Sequence, residues 1–211
     1  ASLNLTGSEH LFRQCVSCKG QYTGLREGDT CTNCRDRGAF RVKPTMVGIP
    51  PSMRGVNVSR FGVDVPERPR SMFLTGGTGS GKSSYAVSCM GVWAEWIARS
   101  VEIRFELAWD FLSAIKATFS KDSRKTESEI VEELSRCYVL VLDDLGAENK
   151  SDFNLSSLVA LLTKREYSGN VTVVTSNLSL GEIHAIDPRL ASRLAAFELM
   201  DFGATDHRIK T

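Results

Sequence analysis

No run of 18 apolar residues occurs in the chain, so no segment reads as a membrane-spanning helix. Residues 1–10 lack the basic-then-apolar order of a secretory signal, and a cytoplasmic protein is expected. Net charge is nearly absent. Over 211 residues, 26 Lys and Arg face 25 Asp and Glu, a formal +1, so charge alone argues for no nucleic-acid partner. Internal repeats and low-complexity tracts are missing as well. Proline is scarce, and Pro44, Pro50, Pro51, Pro66 and Pro69 are five of the six. Residues 44–70 therefore cannot form one continuous helix and read as a connecting segment.

What is present suffices for a core, since 42% of residues are hydrophobic and global disorder is excluded. Charge divides the chain. Residues 1–70 hold 11 Lys and Arg against 6 Asp and Glu, a net +5; residues 71–211 hold 15 against 19, a net −4. This asymmetry points to two units with different tasks.

Four of the six cysteines lie close together, as Cys15-x₂-Cys18-x₁₂-Cys31-x₂-Cys34. Two CxxC turns can supply four thiolates tetrahedrally around Zn²⁺, which closes the shell and makes the metal structural. A disulfide framework is the alternative, but no export signal supports it; a redox role needs only one CxxC. His10 is a substitute ligand that four cysteines make unnecessary. So small a module buries little apolar area, and the metal is expected to stabilise it. Its Arg13, Lys19, Arg26, Arg35, Arg37 and Arg41 read either as nucleic-acid contacts or as a solvated face. Cys89 and Cys137 stand in apolar segments and read as small buried hydrophobes.

From residue 71 onward, short apolar runs alternate with helical stretches. Strands are expected at 71–75, 101–107, 138–142, 171–175 and 197–202. Helices are expected at 82–100, 109–119, 126–137, 153–167 and 188–194. Thr126 and Glu129 fit a capping box. The alternation implies an α/β fold with a parallel sheet covered on both faces.

Gly76-Gly77-Thr78-Gly79-Ser80-Gly81-Lys82-Ser83 matches GxxxxGK[ST] between a strand and a helix, as a phosphate loop requires. Glycines let backbone N–H groups turn toward phosphate oxygens, and the following helix presents its positive end. Lys82 would neutralise the β- and γ-phosphates of ATP, and the Ser83 hydroxyl would ligate Mg²⁺. Some ~60 residues later an apolar strand runs into Asp143 and Asp144, at the sheet edge where such folds bind ligands. Asp143 would hold Mg²⁺ and Asp144 would polarise the attacking water. Asn177, at the tip of the 171–175 strand, could orient that water. Arg189 and Arg193, four apart, share a helix face; they read as a solvated basic face or as an arginine finger for a neighbouring subunit.

The ordered set GGTGSGKS, VLVLDDLGAE, VVTSNL and DPRLASRL resembles the AAA+ ATPases of the DnaC/DnaI helicase-loader and IstB transposition-helper group. Val47-Gly48-Ile49-Pro50 followed by Arg54 is similar to that group's short motif before the nucleotide domain. The helix reaching Phe119 resembles the extra helix of bacterial loaders. The likeness covers roughly residues 46–211. It implies a five-stranded AAA+ core without a helical lid, Asn177 as sensor and Arg193 as finger. It also implies single-stranded DNA contacts at Lys116, Phe119, Ser151 and Phe153; lysine and aromatic residues suit that ligand. Ordinary core packing is the alternative for the two phenylalanines. Asp144 departs from the Glu of many relatives, consistent with slow hydrolysis.

The division expected is a zinc-ribbon module at 1–45, a lead-in at 46–70 and a nucleotide domain at 71–211. The expected function is ATP-dependent loading of a hexameric DnaB-type replicative helicase, with homo-oligomers formed through the ATP interface. The ribbon, N-terminal as in DnaI-type loaders, is expected to dock on the helicase. The main alternative is an IstB-like helper that delivers a transposase to target DNA. A RadA-like repair ATPase lacks its Lys-Asn-Arg-Phe-Gly motif here, and a zinc adaptor binding ATP only for shape is the non-enzymatic reading.

Overall fold

A computed structural model describes residues 12–14, 21–23, 46–53, 65–94, 97, 101–120, 122–146 and 151–205. Strands β1 (Phe12–Gln14) and β2 (Gln21–Thr23) pair antiparallel, with Gln14 opposite Gln21. Six others, β3 (Met46–Val47), β4 (Met72–Thr75), β5 (Ile103–Leu107), β6 (Val139–Leu145), β7 (Val171–Ser176) and β8 (Glu198–Asp201), form one sheet in the order β3-β5-β6-β7-β4-β8. Every pairing in it is parallel. The helices are α1 (Lys82–Trp93), α2 (Ala108–Ala117), α3 (Glu127–Arg136), α4 (Asp152–Tyr167), α5 (Leu180–Ile186) and α6 (Pro188–Leu194).

The central strands are apolar throughout because both faces are buried. Successive residues serve opposite cores. Leu140 and Leu142 pack with α2 to α6, whereas Val139 and Val141 pack with α1 and the lead-in residues. Each fully buried aliphatic side chain contributes about 1.5–3 kcal/mol. Cys89 and Cys137 are buried and free, as their apolar surroundings led us to expect.

The sheet has six strands rather than the expected five. Met46 and Val47 pair with Ile103 and Arg104 at the outer edge of β5. A two-residue strand shows no alternation, and the prolines behind it disguise the segment. Gly48 explains the close approach: its φ is +83°, and a Cβ there would lie 2.0 Å from Phe105 O. The buried Trp93 ties the lead-in down, its Nε1–H donating to Pro66 O at 2.7 Å. The described part of α1 ends at Trp93, short of the expected Ser100.

Helix α3 opens on the expected box, with Thr126 and Glu129 bonding reciprocally. Helix α5 was not expected, although Ser179 and Glu182 form a second box. Arg165 was also unforeseen. Wholly buried, it donates to Leu134 O, Cys137 O and Thr172 Oγ1 at 2.6, 2.9 and 2.8 Å, joining α3, α4 and β7.

Candidate nucleotide-binding site

The C-terminal ends of β4, β6 and β7 bring three polar turns together. After β4 the backbone takes positive φ at Gly76 (+140°), Gly79 (+76°) and Gly81 (+99°), a path closed to most side chains. Gly81 is the N-cap of α1, and no side chain caps that helix. Its leading amides are therefore suited to an anion.

Lys82 is buried at the loop's centre. Its ammonium donates to Gly76 O and Gly77 O, both at 2.8 Å, and to Asn177 Oδ1 at 3.0 Å. Asn177 in turn donates from Nδ2 to Asp144 Oδ1 at 3.2 Å. Residues 95 positions apart in the chain thus form one polar string linking lysine, amide and carboxylate.

Asp143 is 4% exposed. Burial pushes its carboxyl above the ordinary range, opposed by hydrogen bonds from Thr175 and Ser83 and by the Lys82 charge, while Asp144 adds to the rise. Thr175 Oγ1 donates to Asp143 Oδ1 at 2.7 Å and accepts from Asp144 N–H at 2.9 Å. A buried carboxylate beside the Ser83 hydroxyl is a donor set that fits Mg²⁺, which takes a carboxylate and substrate phosphates and keeps several waters. Asp144 lies in β6 with φ +59°, the single non-glycine residue with positive φ among those described. Such local strain gathers at functional sites. Here the irregular register between Leu142 and Leu145 lets Asp144 face outward while Asp143 faces inward.

The other expected residues lie elsewhere. Arg193 Nη1 pairs with Glu166 Oε2 at 2.7 Å. Glu166 is in the last turn of α4, which returns from the phosphate-loop edge of the sheet to the opposite edge. Arg189 pairs at 2.7 Å with Asp187, whose carboxyl lies below its usual range, chiefly through that bond. Phe119 is 66% exposed, which removes core packing as its explanation; it meets Phe153 with ring centroids 5.1 Å apart. Ser151 caps α4 by accepting from Asn154 N–H at 3.3 Å. Lys116 Nζ lies 6.0 Å from the ring centroid of Trp109. Trp109, 56% exposed, was not singled out in the sequence, where it was only the first residue of an expected helix. Cys15, Cys18, Cys31, Cys34 and Arg54 lie outside the described residues; β1 and β2 flank residues 15–20.

The family described as IstB-like ATP binding protein matches residues 59–196. The replicative helicase loader DnaC of Buchnera aphidicola subsp. Acyrthosiphon pisum is 28% identical over 119 residues, 56% of this chain and 47% of that protein. This chain spans about half the length of the curated relatives it matches. Among solved structures, AMPPCP-bound DnaA from Aquifex aeolicus superposes with a TM-score of 0.55 at 18% identity, over 64% of this chain and 40% of that one. The crystal structure of DnaI gives 0.54 at 19% identity, over 82% and 93%. These two likenesses concern the fold. Among the described residues no helix is long and apolar enough to cross a membrane.

Proposed function

Since the chain belongs to the IstB-like ATP binding protein family, we propose that it is an ATPase switch that loads a hexameric DnaB-type replicative helicase onto single-stranded DNA. The observation that carries the reading is the Lys82–Asn177–Asp144 string beside the buried Asp143. It joins the phosphate lysine to the residue proposed to activate water. The similarity to DnaC loaders supplies the direction.

Lys82 rests on two loop carbonyls and Asn177. A bound γ-phosphate competes for that ammonium, which frees the Asn177 amide. Asn177 then releases Asp144, and both turn to the attacking water, Asn177 to orient it and Asp144 to polarise it. Asp143 and Ser83 would hold Mg²⁺, which would supply charge neutralisation to the bound phosphates. Arg193 serves a neighbouring protomer, a role supported by its ion pair with Glu166 at the far end of α4. Lys116, Phe119, Ser151 and Phe153 carry single-stranded DNA, with Trp109 beside them. The exposed Phe119 and Trp109 rings and the Lys116 ammonium suit stacking and phosphate contact, while Phe153 packs partly against the core beneath Phe119. The cysteine module of residues 1–45 binds Zn²⁺ and docks on the helicase; the β-pair flanking Cys15 and Cys18 suits a ribbon.

An IstB-like transposition helper is the second reading, favoured by the family match itself. Co-purification with a replicative helicase, then loading on closed circular single-stranded DNA, separates the two. Loading should require ATP and should fall with Phe119→Ala. A protein that retains a transposase and leaves helicase unloaded would replace the first reading with the second.

A further inference from the structure

The peptide between Gly76 and Gly77 is gripped from both sides. Its carbonyl accepts from Lys82 Nζ at 2.8 Å. Its N–H donates to Gly203 O at 2.7 Å. Gly203 belongs to the turn after β8, more than a hundred residues away in sequence, and no motif marked it.

That turn is fastened to the phosphate loop's own supports. Phe202 N–H donates to Thr75 O, the end of β4, at 2.8 Å. The Phe202 ring meets Tyr85 of α1 edge-on, with centroids 5.3 Å apart. Gly203 N–H donates to Asp201 Oδ1 at 2.8 Å. The packing leaves no slack, since a Cβ on Gly76 would lie 2.7 Å from Gly203 O, and one on Gly77 would lie 3.1 Å from Ala204 Cα. Gly203 itself has φ +67°, yet a Cβ there would meet nothing within 4 Å. Its requirement is for backbone conformation and not for space.

A continuous chain of hydrogen bonds results. It runs from Gly203 O through the Gly76–Gly77 peptide to Lys82, then to Asn177 and Asp144. Bonds in series through a peptide group polarise one another. We propose that Gly203 is a positioning residue of the ATP site. Its carbonyl orients the peptide on which Lys82 rests, and occupancy of the phosphate loop is transmitted to residues 201–205. The inference rests on ATP binding at this loop and adds the turn after β8 to it.

The test is equilibrium titration of the full chain with N-methylanthraniloyl-ATP and Mg²⁺, comparing Gly203→Val with Gly203→Asn. Valine is strongly disfavoured in the left-handed region, whereas asparagine tolerates it. Gly203→Val should weaken binding about three- to tenfold, the worth of one hydrogen bond, and Gly203→Asn should stay close to wild type. If Gly203→Val fails to fold, Asp201→Ala carries the test by removing the acceptor of the Gly203 N–H, with weakening in the same direction at unchanged far-UV dichroism. Hydrogen exchange at residues 201–205 should slow when nucleotide binds. Folded Gly203→Val and Asp201→Ala proteins with wild-type affinity, or exchange there that ignores nucleotide, would overturn the proposal. Wild-type protein that fails to bind the probe would instead remove the ATP site itself, and that result needs no variant to be seen.

Discussion

Arg193→Ala separates a surface ion pair from a shared active site. The pair it breaks, Arg193 with Glu166 at 2.7 Å, is 36% and 49% exposed on its two sides. Such pairs contribute about 0.2–1 kcal/mol, so the unfolding midpoint should fall by no more than about 4 °C. An arginine finger contributes ~10³–10⁵ in turnover, or about 4–7 kcal/mol. The two roles therefore differ by a margin that no surface effect can mimic. Under the proposed reading, the ATP served is a neighbouring protomer's. Glu166 is 14 residues beyond Asp152 in α4, about 20 Å along a helix rising ~1.5 Å per residue. Arg193 beside it lies far from its own phosphate loop. The assay mixes Arg193→Ala chains, which keep a working loop, with Lys82→Ala chains, which keep the arginine. ATP turnover should reappear in mixtures at ratios where mixed oligomers form. If no mixture exceeds either protein alone, Arg193 acts within its own chain or only structurally.

Asp143→Asn keeps the acceptor oxygen for Thr175 and Ser83 but removes a buried charge. Because burial raises the Asp143 carboxyl above 3.8 in the folded state, its contribution to stability is full below 3.8 and is lost as pH rises through the folded value. Without nucleotide, Asp143→Asn should therefore melt higher at pH 7.5 by about 1 kcal/mol equivalent, with the gain shrinking toward pH 4, while ATP turnover disappears. An unchanged or lower midpoint at pH 7.5 would refute this. For the cysteine module, metal analysis of fresh protein should give one zinc per chain. Cys31→Ser with Cys34→Ser should release it and abolish helicase binding while ATP affinity survives; zinc-free protein with oxidised cysteines would contradict the ligand set.

The site was legible where chemistry is local. GxxxxGK[ST] at 76–83, the Asp143–Asp144 pair and Asn177 follow directly from short apolar runs, and the structure brings them within hydrogen-bond reach. What stayed hidden depends on distant partners. β3 is two residues long and exists through its register with β5. Helix α5 was masked by Gly181 inside its first turn, although the Ser179–Glu182 box was a readable signal. Arg165 drew no reading of its own within the helix expected at 153–167, and its burial is dictated by carbonyls on α3 and β7. Trp109 is also unmarked in the sequence, a large aromatic side chain that lies exposed beside Lys116. Gly203 carried no pattern at all; only the fold brings its carbonyl to Gly77.

The most direct measurement is the affinity of the wild-type chain and of Lys82→Ala for ATP with Mg²⁺, titrated at equilibrium on folded protein. Lys82 is the charge at the centre of the loop, and its removal should weaken binding by an order of magnitude or more, with β1–β2 and the sheet intact. Equal affinities for the two proteins would show that ATP is not held by residues 76–83.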